Sequence, residues 1–124
     1  MLIPFAYGVG EAEAPFGRAQ TTEEYVRSYF IDIPVMADIA YCESRFRHVG
    51  NDGSLYRGKI NHSDVGVMQV NEYYHLATAV KLGYDIYTLR GNLSYAEWLY
   101  HKEGTVPWLS SSSCWKKENQ IAMK

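Results

Sequence analysis

Glu43, in the stretch "CES", is the residue of this chain best suited to acid–base chemistry. It lies in an apolar stripe, because Met36, Ile39 and Phe46 recur around it at helical spacing. Burial on such a face raises the pKa of a carboxyl group, and an acid still protonated near neutral pH can act as a general acid. The alternative is a carboxylate that bends to solvent at the helix end or pairs with a basic neighbour: Arg45, Arg47 or His48.

Gln69, in "DVGVMQVN", is a second polar residue within an apolar run. If its side chain is buried, its carbonyl and its amide both need hydrogen-bond partners, and a hydroxyl or N-acetyl group of a ligand could supply them. Gly66 would let the backbone approach a ligand or another segment closely. The alternative is that Gln69 lies on the exposed face of a strand, since it alternates with Met68 and Val70.

Composition and spacing argue against several other functions. The net charge of -2, with 12 basic residues scattered among 14 acidic ones, does not suit a phosphate backbone, so we expect no nucleic-acid partner. No stretch is long and apolar enough to span a bilayer. There is no G-x-S-x-G turn and no glycine-rich phosphate loop. We expect no metal site, because the histidines lack metal-ligand spacing: His48, His62, His75 and His101.

The elements that must position Glu43 and Gln69 are helices around a small β segment. A capping box in "TTEE" predicts a helix over 22–31, and a proline in the first turn predicts a second over 34–47. The stretch 54–70 reads as an irregular hairpin or small sheet. Two more helices follow, one closed by Gly83 and one capped by Asn92 and stopped by Gly104, and the tail 105–115 reads as a loop with at most one helical turn. The predicted class is α+β, mostly helical.

The chain is predicted to contain one folded domain, over residues 21–115. Residues 1–20 would be a flexible lead-in or a truncated export signal, and residues 116–124 a C-terminal tail. Two cysteines, Cys42 and Cys114, lie within the domain. They are either two unrelated thiols or one disulfide that closes most of the domain and places the protein outside a reducing compartment.

"CESRF" at a helix end, followed by "GVMQVN", resembles the transglycosylase SLT and lysozyme-like superfamily over residues 25–115. The resemblance implies a lysozyme-like fold with a small β-hairpin insertion between helices. It makes Glu43 the catalytic acid and places Gln69 in the saccharide cleft. Ser44 and Met68, which belong to the same two motifs, become candidate substrate-binding residues. The family's A-Y-N-x-G block is replaced by "LYHKEGTVPW", so only Tyr100 and Gly104 carry over from it.

Two narrower similarities concern a carboxylate and the cysteines. "DVGVMQVNEYY" is similar to the segment of animal lysozymes that carries their second catalytic carboxylate, which implies this role for Asp64, with Asp52 a distant second candidate. "CES" with a late cysteine resembles the resuscitation-promoting muralytic factors and implies a Cys42–Cys114 disulfide.

The resemblance implies cleavage of the β-1,4 bond between N-acetylmuramic acid and N-acetylglucosamine in peptidoglycan, by a lytic transglycosylase without a cofactor. The alternatives are a lysozyme-type hydrolase that uses Asp64 and a non-catalytic peptidoglycan-binding module. We expect a monomer in an extracytoplasmic location. Tyr73 and Trp108, and also Tyr74, could stack on sugars or pack in the core, whereas Asn71 is predicted to cap a helix.

Overall fold

The computed structural model describes residues 18–122, with side chains to residue 117, and the predicted lead-in therefore lies outside the described residues up to position 17. Five α-helices, one 3-10 helix and two short strands make up this part of the chain, which confirms the mostly helical α+β class. In chain order they are α1 (Thr22–Tyr29), α2 (Pro34–Ser44), β1 (Asp64–Val65), β2 (Val70–Asn71), α3 (Glu72–Leu82), α4 (Leu89–Glu103), the 3-10 helix (Val106–Ser111) and α5 (Ser112–Ala122).

Helix α1 begins with the predicted capping box. Thr21 Oγ1 accepts a hydrogen bond from the Glu24 amide at 3.1 Å, and Glu24 Oε1 accepts one from the Thr21 amide at 2.9 Å. Two of the orphan amides of the first turn are thereby satisfied. The helix ends at Tyr29, two residues before the predicted end.

Helix α2 begins at Pro34 as predicted, but it ends at Ser44, three residues before the predicted end at position 47. Arg45 and Phe46 have φ values of 55° and 61°, a left-handed conformation that residues other than glycine seldom adopt. No glycine or proline marks this stop in the sequence. As a consequence Glu43 belongs to the last turn of α2 and faces the segments that follow.

The stretch between α2 and α3 forms the predicted small sheet. Strands β1 and β2 pair antiparallel, with Asp64 opposite Asn71 and Val65 opposite Val70. Two isolated bridges extend the pairing backwards along the chain, between Val49 and Leu55 and between Arg57 and Val65. Residues 66–69 form the turn that joins the two strands.

Three of the four helix-end predictions for α3 and α4 are confirmed, with Asn71 at the N-cap of α3, and one is wrong. Gly83 ends α3 with a φ of 87°, and Gly104 ends α4. The N-cap of α4 is Thr88, whose side chain accepts a hydrogen bond from the Gly91 amide, and not Asn92. Asn92 lies inside the helix and is fully buried, because its amide group serves a distant segment instead of the helix end.

The C-terminal part of the described chain differs most from the prediction. The expected loop over 105–115 is a 3-10 helix followed by α5, and α5 continues past residue 115. Helix α5 packs against α2, and a disulfide between Cys42 and Cys114, with a Cα–Cα distance of 6.0 Å, joins the two. The implied cysteine pairing is confirmed, and tertiary packing explains why a serine-rich segment is helical here.

One buried core lies between the helices and the small sheet. Its most completely buried large side chains come from the end of α1, from α2, from the turn between the strands, and from α4 and the loop before it: Phe30, Met36, Ile39, Met68, Ile86, Leu93 and Tyr95. Within the described residues, none of the helices has the length and apolar character that crossing a membrane requires.

Candidate active site

Glu43 and Asp64 line a cleft between α2, the hairpin and the 3-10 helix. The cleft consists of a smaller cavity of about 110 Å³ and a larger one of about 440 Å³, and both are lined by Glu43, Asp64, Gln69 and Ser110. Asn71, His75, Leu99, Pro107 and Trp108 complete the smaller cavity together with Val70. The larger cavity is completed by loop residues before β1: Tyr56, Gly58, Lys59, Ile60 and Asn61.

The carboxyl group of Glu43 is half-buried and accepts a hydrogen bond from Ser111 Oγ at 2.6 Å. Burial raises its pKa above the ordinary value of 4.5, the hydrogen bond from Ser111 opposes this, and the negative charge of Asp64 raises the pKa further. A carboxyl group with a raised pKa that faces a cleft has the property required of a general acid.

No basic residue of the described chain forms an ion pair with Glu43. Arg45 Nη1 donates to the Tyr41 hydroxyl, and Arg47 Nε donates to the Ser44 carbonyl. His48 Nε2 bonds the Tyr87 carbonyl. The alternative in which Glu43 pairs with one of these three residues is therefore wrong.

Asp64 is held in the cleft by its partner across the hairpin. Its Oδ1 accepts a hydrogen bond from Asn71 Nδ2 at 3.0 Å. Asn71 uses its Oδ1 for the predicted cap of α3, where it accepts from the Tyr74 amide at 3.1 Å. Asp52, the second candidate for this role, lies in an exposed turn with its carboxylate on Ser54, and it lines neither cavity.

Gln69 lies in the turn between the two strands. The alternative that places it on the exposed face of a strand is therefore wrong. Its φ is 53°, and its Nε2 donates to the carbonyls of Gly66 at 3.0 Å and Asp64 at 3.3 Å. Its Oε1 has no hydrogen-bond partner among the described residues. That oxygen faces Gly58, where an added Cβ would come within 2.8 Å of it. The amide is thus fixed on one side, and its carbonyl oxygen is available to a ligand.

Buried polar side chains from three distant segments hold the turn that carries Gln69. Ser44 Oγ donates to the Val67 carbonyl at 2.8 Å, and Asn92 Oδ1 accepts from the Met68 amide at 2.9 Å. Trp108 Nε1 donates to the Met68 carbonyl at 2.9 Å. Each of these bonds satisfies a buried backbone group that the two-residue strands cannot pair.

His48 contributes to the same network from the segment after α2. Its Nδ1 accepts the Val67 amide at 3.2 Å, which assigns the ring hydrogen to Nε2, and Nε2 donates to the Tyr87 carbonyl at 2.8 Å. Burial lowers the pKa of His48 below its ordinary value, which favours this neutral form. Three buried polar residues, Ser44, His48 and Asn92, therefore fix the position of one turn.

The remaining predicted site residues lie in different places. Ser44 and Met68 are buried beneath the cleft and line neither cavity, whereas Trp108 lines the smaller cavity with only 3% of its surface exposed. Tyr100 is half-buried and packs against the core. Tyr73 is 80% exposed, with its ring 5.0 Å from that of Tyr74.

Sequence reasoning missed Ser110, Ser111 and His75 as cleft residues. The tract "SSSS" over 110–113 is visible in the sequence, but nothing local indicates that Ser111 bonds a carboxylate presented 68 residues earlier or that Ser110 lines the same cleft. Within the described residues, no group of three or more His, Cys, Asp or Glu side chains could hold a metal ion.

Comparisons with known proteins do not add a family to this geometry. No protein-family model, no curated protein and no solved structure matches the chain.

Proposed function

We propose that this protein is a muralytic glycosidase that cleaves the β-1,4 bond between N-acetylmuramic acid and N-acetylglucosamine, acting as a lytic transglycosylase. The observation that supports this most directly is the carboxyl group of Glu43, which faces the cleft with a raised pKa and a serine hydroxyl 2.6 Å away. The motif resemblance around Glu43 and Gln69 supplies the substrate class.

In the proposed reaction Glu43 first acts as an acid. It gives its proton to the glycosidic oxygen as the bond from that oxygen to the muramyl anomeric carbon breaks, which leaves an oxocarbenium-like centre. The 6-hydroxyl group of the same muramyl residue then attacks this carbon, and the Glu43 carboxylate takes the proton of that hydroxyl. The product is a 1,6-anhydro end, and Glu43 is again protonated for the next cycle.

A lysozyme-type hydrolase is the second candidate, and the position of Asp64 favours it. Asp64 lines both cavities together with Glu43, and its charge contributes to the raised pKa of Glu43. In that reaction water attacks the anomeric carbon, and Asp64 acts as nucleophile, as the base that activates the water, or as a group that stabilises the positive charge.

Peptidoglycan glycan strands are the partner in either case, and the protein would act on them as a monomer outside the cytoplasm. The Cys42–Cys114 disulfide supports this location, because disulfides persist in oxidising compartments.

The test is digestion of purified peptidoglycan with the parent protein, Glu43→Gln, Asp64→Asn and the control Asp52→Asn, followed by mass spectrometry of the muropeptides. We expect products one water lighter than hydrolytic ones. Glu43→Gln should lower the rate at least about 100-fold, because the general acid is lost. Asp52→Asn should match the parent, since Asp52 is exposed and outside the cleft.

The products separate the candidate functions. Reducing ends alone, together with a loss of activity in Asp64→Asn, would identify the hydrolase. Binding to peptidoglycan that is equal in the parent and in Glu43→Gln, with no products from either, would identify a non-catalytic binding module and refute the proposed reaction.

A further inference from the structure

The hydroxyl group of Ser111 has two acceptors but only one hydrogen. Its Oγ lies 2.6 Å from Glu43 Oε2 and 3.2 Å from the carbonyl oxygen of Trp108. A serine hydroxyl can donate to one of these at a time, while its oxygen can accept from another donor. The two distances therefore describe two alternative hydrogen-bond arrangements at a fixed position of Oγ.

The carbonyl of Trp108 tolerates either arrangement. It also accepts the Trp115 Nε1 hydrogen at 3.1 Å, and a carbonyl oxygen has two lone pairs. When Ser111 donates to Glu43, the Trp108 carbonyl still has a partner, so no buried acceptor is left unsatisfied. The Ser111 hydroxyl hydrogen can therefore turn from one acceptor to the other without the free-energy cost of an unsatisfied buried carbonyl.

We propose that Ser111 is a positioning residue for Glu43, and that its hydroxyl hydrogen changes acceptor with the protonation state of the carboxyl group. With Glu43 ionised, Ser111 donates to Oε2. With Glu43 protonated, the carboxylic O–H donates to Ser111 Oγ, and the Ser111 hydrogen turns to the Trp108 carbonyl. Ser111 neither gains nor loses a proton. This inference rests on the proposed function, in which Glu43 must hold one geometry first as acid and then as base.

The Cys42–Cys114 disulfide keeps Glu43 and Ser111 close together. Cys42 precedes Glu43 on α2, and Cys114 follows Ser111 by three residues, so the disulfide joins the segments on which the carboxyl and hydroxyl groups lie. The short contact between Glu43 and Ser111 is consequently anchored on both sides, and it does not depend on a flexible loop.

Other ionisable groups lie in the same cavities as Glu43 or on the helices that pack against α2. Asp64 and His75 share the smaller cavity with it, and Lys59 shares the larger one. The 3-10 helix carries no ionisable side chain. Among the helices packed against α2, α5 presents Lys116 and Lys117 to solvent, and α1 carries Glu23, Glu24 and Arg27. Arg27 lies over the ring of Phe46, and Glu23 and Glu24 pair with Arg27 and Arg18.

The experiment compares the parent with Ser111→Ala, Ser111→Thr and Ser113→Ala, the last being an exposed serine two residues away as a matched control. The readout is the ¹³C NMR titration of the Glu43 carboxyl carbon, assigned by its loss in Glu43→Gln. Ser111→Ala should move the titration midpoint upward by about one pH unit, because the ionised form loses more than the protonated form. Ser111→Thr should restore the parent midpoint, and Ser113→Ala should not alter it.

Activity is measured on the same four proteins. Ser111→Ala should lower kcat about tenfold with little change in KM, and the alkaline limb of its pH–rate profile should move with the NMR midpoint. An unchanged midpoint in Ser111→Ala, or a midpoint in Ser111→Thr that stays at the alanine value, would overturn the proposal. If the parent releases no products from peptidoglycan but the NMR titration midpoints move as expected, the proposed glycosidase reaction is refuted. The proposed change of acceptor by the Ser111 hydroxyl hydrogen would still stand.

Discussion

Replacement of Gly66 by alanine tests the description of the turn that carries Gln69. Gly66 has a φ of 75°, and an added Cβ would lie 2.5 Å from Asn92 Nδ2 and 2.7 Å from His48 Cε1. Both neighbours are buried and hydrogen-bonded, so neither can move without losing a partner of the turn. We expect Gly66→Ala to reduce the free energy of unfolding far more than an ordinary glycine replacement does.

The magnitude follows from three contributions. A left-handed conformation costs an alanine about 1 kcal/mol more than a glycine. Overpacking of a rigid buried site costs about 1 to 3 kcal/mol. Displacement of Asn92 would leave the Met68 amide or the Val65 carbonyl without its partner, at about 1 to 3 kcal/mol. A total loss of about 3 to 7 kcal/mol is expected.

The assay is urea unfolding monitored by tryptophan fluorescence, with Gly53→Ala as control. Gly53 has a φ of 83° but nothing within 4 Å of its added Cβ. It therefore carries the same backbone strain without the contacts, and should lose only about 1 kcal/mol. If the two variants lose the same stability to within about 0.5 kcal/mol, the packing of Asn92 and His48 against Gly66 is not as described.

Two further predictions concern the disulfide and the half-buried carboxyl group of Glu43. Reduction of the Cys42–Cys114 bond, which spans 72 positions, should lower the free energy of unfolding by about 4 kcal/mol, because the unfolded chain regains the entropy that the closed loop removes. A Cys42→Ser/Cys114→Ser variant that is as stable as the oxidised parent would contradict this. Glu43 has a higher pKa in the folded than in the unfolded protein, so the folded state binds more protons and loses stability as pH rises from the unfolded pKa through the folded one. Glu43→Gln should therefore gain stability relative to the parent as pH rises above about 4.5. Thermal unfolding of both proteins at a series of pH values measures this. A difference in stability between the two proteins that does not change with pH would show that burial does not raise the pKa of Glu43.

Features determined by neighbouring residues were predictable from the sequence. The capping box at Thr21 and the N-cap at Asn71 are short-range hydrogen bonds, and Gly83 ends its helix because glycine adopts a left-handed conformation without strain. The choice of Glu43 also followed from a local pattern, because the apolar stripe around it indicated burial.

Features that depend on distant contacts were not predictable in this way. Asn92 has the type of an N-cap residue, but its side chain bonds the Met68 amide 24 positions earlier, and the helix begins three residues before it, at Leu89. The left-handed Arg45 carries no sequence signal for a helix end. Ser111 reaches Glu43 only because α5 packs on α2, and the serine tract by itself gives no indication of that packing.

The contribution of the segment 106–117 to the cleft also sets an order of assembly during synthesis. Glu43, Asp64 and Gln69 leave the ribosome first. Trp108, which holds the turn, follows Met68 by 40 residues, Ser111 follows Glu43 by 68, and Cys114 follows Cys42 by 72. A nascent chain shorter than about 110 residues carries the acid without the wall that defines its environment. The surroundings of Glu43 are therefore complete only after the segment 106–117 has been made, well after Glu43 itself.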